Sequence, residues 1–274
     1  MPAAVKPDNI LLLAAIAGDF GAVVSRQLPN QLDVTIPVPM PDGRSPIYSI
    51  TAVLSGSIVS AREAAPARLP VFCPNRHINE NSTFCLGWAK VDPLEVIGEE
   101  SAWTWWARLL KFLRLQERAA RLGRWPDHRA WAHGEAAIHQ LRAEKAADRL
   151  GPAYVEYMAQ NWLSVARRGS GAQGPGLRVM ANGSWVYSIW EKAARAVNLR
   201  RRCLCEAGAG HRPTVLRNCG EHAEAAVELA LAIRDRDREE RRFWASFEGK
   251  QCCGTMKDCP LWRGDKGHEA GSRK

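Results

Sequence analysis

Apolar residues recur along the first half of the chain at two spacings, and each spacing predicts a type of secondary structure. Over residues 8–25 they lie three or four positions apart, which is the period of a helix, and Asp8 or Asn9 can cap its start. Over residues 32–38 they alternate with polar residues, which predicts a strand with one buried face. Further strands are predicted at residues 47–54 and 69–73, with a turn and a short strand at 56–66.

The second half of the pattern predicts mainly helices. Ser101 caps a predicted helix that continues to residue 122, and we interpret its tryptophans as core residues rather than as a groove for a partner. Asn182-Gly183 lies at the centre of a predicted hairpin over residues 177–189. Further helices are predicted at residues 133–150, 152–168, 191–202 and 221–247.

A glycine-rich stretch over residues 169–176 formally contains the Gly-x-Gly-x-x-Gly spacing of a phosphate-binding loop. We reject that interpretation because the stretch follows a predicted helix, and Pro175-Gly176 disfavours a helix whose first turn could bind phosphate. The composition is instead typical of a flexible linker. It therefore predicts a boundary between a first domain at residues 1–168 and a second domain at residues 177–274.

The composition of the 274 residues limits the compartment and the partners. Apolar residues make up 46%, enough for a substantial core, yet no run reaches the length of a membrane helix and no secretory signal is evident. We therefore expect a cytoplasmic protein without a membrane partner. The net charge of +9 is spread over helices that also carry Glu and Asp, and no aromatic-basic motif accompanies it. A nucleic-acid partner is therefore not expected. Binding of an acidic protein would explain the positive charge equally well.

A short polar segment over residues 74–88 contains the candidate nucleophile. It is rich in Asn and Ser, which predicts a loop, and it carries Cys85 between Phe84 and Leu86. A thiol in an ordered polar loop is placed as a nucleophile would be, although a buried structural cysteine is the alternative. Arg76 and His77 are the nearby groups that could lower the pKa of the Cys85 thiol.

The loop resembles the active-site loop of ubiquitin-conjugating (E2) enzymes, which carry His-Pro-Asn, a short polar loop with a Gly, and then an apolar residue, Cys and Leu. Residues 78–86 follow this pattern without a gap, with Ser82 where the Gly usually stands. His77 stands at the position of the family's Asn, so the His-Pro-Asn triplet is not kept. The divergence, the Trp-rich helix and the cysteine-rich tail resemble a cysteine-rich subgroup of the bacterial E2-like proteins found in antiphage (CBASS) operons.

The resemblance implies an α+β fold, in which a ubiquitin-conjugating-like domain of helix, antiparallel strand meander and helices precedes a helical cysteine-rich domain. It implies that Cys85 forms a thioester with the C-terminal glycine of a cGAS-like nucleotidyltransferase and so regulates antiphage cyclic-nucleotide signalling. His77 would stabilise the oxyanion of the tetrahedral intermediate. No adenylating domain is recognised in the sequence, so a separate activator or an unusual route to the thioester is expected, and no nucleotide cofactor.

Two alternatives remain open at this point. A cysteine hydrolase would need a base near Cys85, for which His128, His133 and His139 are the candidates. It would release a free carboxylate rapidly, whereas a transferase would accumulate the thioester. A non-catalytic adaptor would bind its partner through the same fold and would keep its function when Cys85 is replaced.

Six of the eight cysteines crowd into the last part of the chain, which points to metal before disulfides in a cytoplasmic protein. Their spacings match no standard zinc finger, so reduced thiols packed between helices and a redox-active cluster remain alternatives. We predict about one structural zinc ion, held by about four of the candidate cysteines. The candidates are Cys203, Cys205, Cys219, Cys252, Cys253 and Cys259.

Overall fold

The computed structural model describes residues 9–65, 67–91, 94–127, 129–171, 174–197, 201–204 and 214–262. The chain divides into two compact units. The first unit consists of Met1–Asp127 together with Gly249–Lys274, and the second of His128–Glu248. In sequence, the second unit is therefore inserted between the two segments of the first.

The first unit is built on an antiparallel meander of four strands in the order β1-β2-β3-β4. Alternation of buried and half-buried residues along β2 confirms the predicted strand with one buried face, and Leu32, Val34 and Ile36 are almost fully buried. The short strand predicted within residues 56–66 is β4. The strands are β1 (Val23–Leu28), β2 (Gln31–Pro37), β3 (Ile47–Ser55) and β4 (Ile58–Glu63).

The first helix is shorter than its apolar spacing predicts. Helix α1 spans Asn9–Ile16 and passes into a single 3-10 turn at Ala17–Phe20. Gly21 then adopts a left-handed conformation with φ of 71°, which glycine reaches without the steric cost of a side chain and which ends the helical run. The apolar residues beyond it belong to β1, so the predicted extension to residue 25 is wrong.

Helix α2 (Glu99–Leu122) packs the tryptophan-rich stripe onto the sheet. Trp105 and Trp106 are almost fully buried, and their indole N–H groups donate to the backbone carbonyls of Val59 and Leu13 at 2.9 and 3.0 Å. The helix begins at Glu99 with Gly98 as its N-cap, so the prediction that Ser101 is the N-cap is wrong. Ser101 is the third residue of the helix, and its hydroxyl accepts hydrogen bonds from the backbone N–H groups of Ile97 and Gly98. The interpretation as core residues is confirmed for Trp105 and Trp106 and is wrong for Trp103, which is 42% exposed.

The second unit has a core between helices and a second antiparallel sheet in the order β5-β6-β7-β8. Helix α5 and the predicted hairpin around Asn182-Gly183, formed by β6 and β7, are present, and the sheet adds a β layer to a unit predicted to be mainly helical. The elements are α3 (Ala136–Leu150), α4 (Pro152–Ala159), β5 (Leu163–Gly171), β6 (Gly174–Ala181), β7 (Ser184–Trp190), β8 (Arg195–Ala196) and α5 (Glu221–Ala245).

The glycine-rich stretch predicted as a linker differs in the structure, because its described residues lie in β5 and β6. Asn161, with φ of 54°, ends α4, and Leu163 and Val165 then pair with β6. Leu163 and Val165 alternate with polar residues, which is a strand pattern. The same residues also fit the helical spacing from which we predicted a helix as far as residue 168. The predicted helix at 191–202 is also wrong in its described part, where Ala194 has φ of 45° and β8 follows.

Candidate functional site

The Cys85 loop is fixed at both ends to the first unit. Cys73 and Ile78 exchange backbone hydrogen bonds of 3.0 and 3.1 Å around a 3-10 turn at Pro74–Arg76. At the other end, the Phe84 backbone N–H donates to Ala61 of β4 at 2.8 Å, and the buried Phe84 ring stacks on the Phe112 ring of α2. The residue immediately before Cys85 is therefore held by the sheet and by the helix.

Polar side chains shape the interior of the loop. The Asn79 N–H donates to Thr83 O, and the Thr83 hydroxyl donates to Asn81 Oδ1 at 2.6 Å. Ser82 adopts a left-handed conformation with φ of 64° at the position where E2 enzymes usually carry Gly. The departure from the family pattern at Ser82 thus keeps the backbone conformation that the Gly would provide.

Cys85 is exposed at the end of this loop, and its backbone N–H donates to the His77 carbonyl at 2.8 Å. Protein atoms around the sulfur exclude part of its solvent, and this burial raises the pKa of the Cys85 thiol above its usual value. A hydrogen bond from the Gly87 backbone opposes this shift and lowers the pKa by less. The expectation of a lowered pKa at Cys85 is wrong.

The Arg76 guanidinium is absent from the charges that shift the Cys85 pKa because it is turned into the protein. Arg76 is only 3% exposed, and its Nε donates to Gln116 Oε1 of α2 at 2.7 Å. Its other nitrogens donate to the Gln116 carbonyl and to the Thr255 hydroxyl. A charged residue that the sequence places in a polar loop is thus a buried part of the first unit.

His77 is joined to Cys85 through its backbone and packs its ring against Trp125. It has a left-handed conformation with φ of 56°, and its ring centroid lies 4.8 Å from that of Trp125. His77 is half-buried, and its backbone carbonyl, which accepts the hydrogen bond from Cys85 N–H, lies beside the backbone of Cys85. Its role in stabilising an oxyanion stays a prediction.

Two of the predicted metal ligands, Cys203 and Cys219, meet His222 in the second unit, and His222 was not among the predicted ligands. The Nδ1 atom of His222 lies 3.5 Å from Cys203 Sγ and 3.4 Å from Cys219 Sγ, and all ligand atoms of the three lie within 4.8 Å of one another. His222 is in the first turn of α5, and its backbone N–H donates to Cys219 O. Two thiols and an imidazole form a donor set that suits zinc. Cys205, the third predicted ligand of this region, lies outside the described residues.

The other three predicted ligands lie in the first unit, where they are joined by a cysteine that the sequence did not single out. Cys73, at the start of the active-site loop, has its sulfur 3.1 Å from that of Cys253. The hydrogen bond from Cys73 lowers the pKa of Cys253 to about 5, whereas the same bond raises the pKa of Cys73. Cys259 is hydrogen-bonded to Cys252, and burial, the largest cause, raises the pKa of Cys259 to about 11.

The histidines considered as hydrolase bases have partners of their own in the second unit. His133 Nδ1 contacts Glu240 Oε1 at 2.5 Å, and its ring stacks on Phe243. His139 shares a hydrogen bond with Arg142, and His128 lies outside the described residues.

Among the helices that the structure describes, none is both long and apolar enough to cross a bilayer.

Comparison with known protein families assigns both parts of the chain. Residues 20–127 match the family described as the prokaryotic E2 domain, and residues 132–261 match the cysteine-rich domain that lies C-terminal to an E2 domain. The second match spans most of the second unit and also the segment around Cys252 that packs in the first. No curated protein and no solved structure matches the chain.

Proposed function

Starting from a chain that is a prokaryotic E2-like protein with a C-terminal cysteine-rich domain, we propose that Cys85 carries an acyl group as a thioester and transfers it to an acceptor. The observation that carries this proposal is the exposed Cys85 sulfur at the end of a loop fixed to β4 and α2. Because the backbone is fixed and the sulfur is exposed, donor and acceptor can approach the thiol while its position stays constant.

The chemistry consists of two acyl transfers. In the first, another enzyme has activated a carboxylate as an acyl adenylate or a thioester, and the Cys85 sulfur attacks its carbonyl carbon. A carbon–sulfur bond forms and AMP or the donor thiol leaves. The proton of the Cys85 thiol passes to solvent. In the second, an acceptor amine attacks the same carbon, the carbon–sulfur bond breaks, and Cys85 recovers its proton from the attacking amine. A thioester suits this role because it is far more reactive than the amide that replaces it.

His77 is the residue to which we assign stabilisation of the tetrahedral intermediate. An imidazole N–H can donate to the oxyanion, and removing one such donor typically slows a reaction about 100- to 1000-fold. The left-handed backbone of His77 and the hydrogen bond from Cys85 N–H to its carbonyl support this proposal, because they hold residue 77 beside the reacting sulfur. Asn, the family's residue, also tolerates this backbone conformation.

The donor that we propose is the C-terminal glycine of a cGAS-like nucleotidyltransferase in the cytoplasm of a cell with an antiphage operon. This part rests on the resemblance of the loop and of the cysteine-rich tail to the bacterial subgroup. Covalent attachment would regulate the nucleotidyltransferase and thereby its cyclic-nucleotide signal.

The test is co-expression of the chain with its operon neighbours, followed by intact mass spectrometry with and without reducing agent. We expect the wild-type chain to form an adduct that thiols cleave, Cys85→Ser to form a more stable ester, and Cys85→Ala to form none. The comparison of Cys85→Ser with Cys85→Ala is the matched control, because the two variants differ only by the hydroxyl group that can accept the acyl group. An adduct of Cys85→Ala that thiols still cleave would exclude Cys85 as the carrier, and full regulation of the nucleotidyltransferase by Cys85→Ala would favour the adaptor.

We further propose that Cys203, Cys219 and His222 hold a structural zinc ion in the second unit. The close approach of their ligand atoms supports this, as does the almost complete burial of Cys203. Cys205 follows Cys203 by two residues and is the candidate for the fourth ligand. The metal would fix the segment before α5 to the start of that helix, because Cys203 and His222 belong to those two parts.

A further inference from the structure

Four cysteines meet in the first unit although they come from two distant parts of the chain. Cys73 precedes the active-site loop, and the other three belong to the segment that follows α5. The sulfurs form two hydrogen-bonded pairs, Cys73 with Cys253 and Cys252 with Cys259. Cys259 also interacts electrostatically with both members of the first pair, so the two pairs are neighbours. No disulfide joins the cysteines that the structure describes.

Two of these sulfurs have polar partners besides a second sulfur: Cys252 Sγ accepts a hydrogen bond of 3.4 Å from the Gly254 backbone N–H, and Cys253 Sγ lies 3.1 Å from the Thr255 hydroxyl. Such bonds stabilise a sulfur that carries negative charge, and they are the outer-shell contacts that orient metal-bound thiolates. A reduced cysteine packed as an apolar residue has no need of them.

Arg76 supplies an independent observation, because its buried positive charge faces the same sulfurs. Its hydrogen bonds go to the neutral oxygens of Gln116 and Thr255, and among the described residues no carboxylate forms an ion pair with it. The strongest favourable charge interactions of Arg76 are those with Cys73 and Cys253. A buried cation is costly unless nearby negative charge compensates it. The cysteine cluster is placed to supply such charge, in addition to the carboxylate of Glu117.

We infer that Cys73, Cys252, Cys253 and Cys259 form a second structural zinc site, which ties the C-terminal segment to the base of the active-site loop. Four thiolates around Zn²⁺ give a tetrahedral site with zinc–sulfur distances of about 2.3 Å. Zinc binding releases the remaining thiol protons to solvent and leaves a net charge of about −2, which the buried Arg76 partly compensates. In the structure no three of these sulfurs lie within 4.8 Å of one another, so the two pairs must move together to bind one ion. No oxidant or reductant is required.

This inference goes beyond acyl transfer by Cys85 and is independent of the zinc proposed in the second unit. It adds Cys73 to the ligands and divides the six clustered cysteines between two sites, so we expect about two zinc ions per chain rather than about one. The Cys73 site would also support the loop directly, because Cys73 pairs with Ile78 and Ile78 pairs with Phe84 next to Cys85.

The test measures zinc in the full chain after purification without chelator. We expect Cys73→Ser and Cys259→Ser each to lose about one zinc ion per chain relative to the wild type. Cys85→Ser, which removes a thiol from the same unit, should lose none. X-ray absorption of Cys203→Ser protein should then show zinc with four sulfur neighbours. Unchanged zinc content in both Cys73→Ser and Cys259→Ser would overturn the site.

A second measurement on the wild-type chain keeps the inference testable if those variants fold poorly. The zinc-loaded protein and the protein freed of metal by chelator are alkylated, and labelling is located by peptide mass spectrometry. We expect Cys73, Cys252, Cys253 and Cys259 to become labelled together when the metal is removed, whereas Cys85 is labelled equally in both samples. Equal labelling of the four cysteines with and without zinc, or a Cys73–Cys253 disulfide in the freshly purified chain, would contradict the inference.

Discussion

The two ends of the active-site loop hold sulfurs in opposite surroundings. Cys85, at the far end, is exposed and has a weak contact of 3.8 Å between its thiol and the Gly87 carbonyl. Cys73, at the near end, is 2% exposed and lies against a second sulfur, a backbone N–H and a buried guanidinium. One loop therefore separates a thiol that reagents can reach from a thiol that is enclosed by protein.

The difference shows what each role requires of a sulfur. A thiol that accepts and releases acyl groups must be reachable on one side and must not be held by a permanent partner. A thiol that stabilises a fold benefits from the reverse, because burial and fixed partners keep its bonds from exchanging. Backbone bridges from Cys73 to Ile78 and from Ile78 to Phe84 connect the enclosed thiol to the residue that precedes Cys85.

The largest expected effect is on the rate of acyl transfer from Cys85 when His77 is replaced, and the cysteine cluster around Cys73 should be unaffected. His77→Gly keeps the left-handed backbone and removes the imidazole, so we expect the variant to form the thioester but to discharge it about 100- to 1000-fold more slowly. His77→Asn, which restores the family's side chain, should discharge close to the wild-type rate. Single-turnover discharge of pre-formed thioester measures both.

The zinc content of both His77 variants should equal that of the wild type, since the ring of His77 packs on Trp125 and His77 is not one of the proposed zinc ligands. Normal discharge by His77→Gly would remove His77 from the mechanism. Equal loss of activity in Gly and Asn variants would instead assign the effect to the lost packing on Trp125.

A smaller but clear difference is expected in how the two thiols respond to pH. The pKa of Cys85 is raised by burial, so its thiolate fraction and its alkylation rate should rise about tenfold per pH unit between about pH 6 and pH 8. The pKa of Cys253 is lowered to about 5, chiefly by the hydrogen bond from Cys73, so its rate in metal-free protein should be nearly constant over that range.

Alkylation followed by mass spectrometry at a series of pH values measures both thiols in one sample. Cys73→Ala provides the control, because it removes the thiol that lowers the Cys253 pKa and should make the Cys253 rate rise with pH. Parallel pH profiles for Cys85 and Cys253 in the wild-type chain would remove the contrast between the two ends of the loop.

The smallest expected effect concerns the backbone of the active-site loop. Ser82 has φ of 64°, a conformation that costs a residue with a side chain about 1 kcal/mol relative to glycine. Ser82→Gly relieves that strain but makes the unfolded chain more flexible, so we expect its stability to change by less than about 0.5 kcal/mol. Ser82→Ala keeps the strain and loses the hydroxyl group, so it should be less stable than Ser82→Gly.

Denaturant unfolding of the two variants compares their stabilities directly, and neither should alter the zinc content. An alanine variant at least as stable as the glycine variant would show that the left-handed conformation of Ser82 is unstrained.

The part of the site that is local in sequence was predictable, and the part that depends on distant contacts was not. The spacing of Ile78, Phe84 and Cys85 in one short loop identified the resemblance without any tertiary information. Arg76 was assigned to solvent or to Cys85, because its buried partner Gln116 lies on α2 and no local pattern points to it. Cys73 was overlooked for the same reason, since Cys253 is 180 residues away.

The fold follows the same division. Strand β2 was predictable from the alternation of apolar and polar residues, and the β6–β7 hairpin from the turn residues Asn182-Gly183. Both signals are local in sequence, and the structure contains both elements. Strand β5 was missed because Leu163 and Val165 suit either a helix or a strand, and only pairing with β6 decides between them. The boundary between the units was placed by composition, whereas the structure divides the chain at Asp127 and again after Glu248.

The division of the first unit into two segments sets the order in which a ribosome can complete it. Between Asp127 and Gly249 the ribosome must translate the whole second unit, about 120 residues, which takes roughly 6 to 25 s at typical elongation rates. During that interval the sheet, α2 and the Cys85 loop have emerged, while Cys73 and Arg76 still lack Cys253 and Thr255. Final closure of the active-site base is therefore a late event, which makes a full-length chain a condition for a finished catalytic loop.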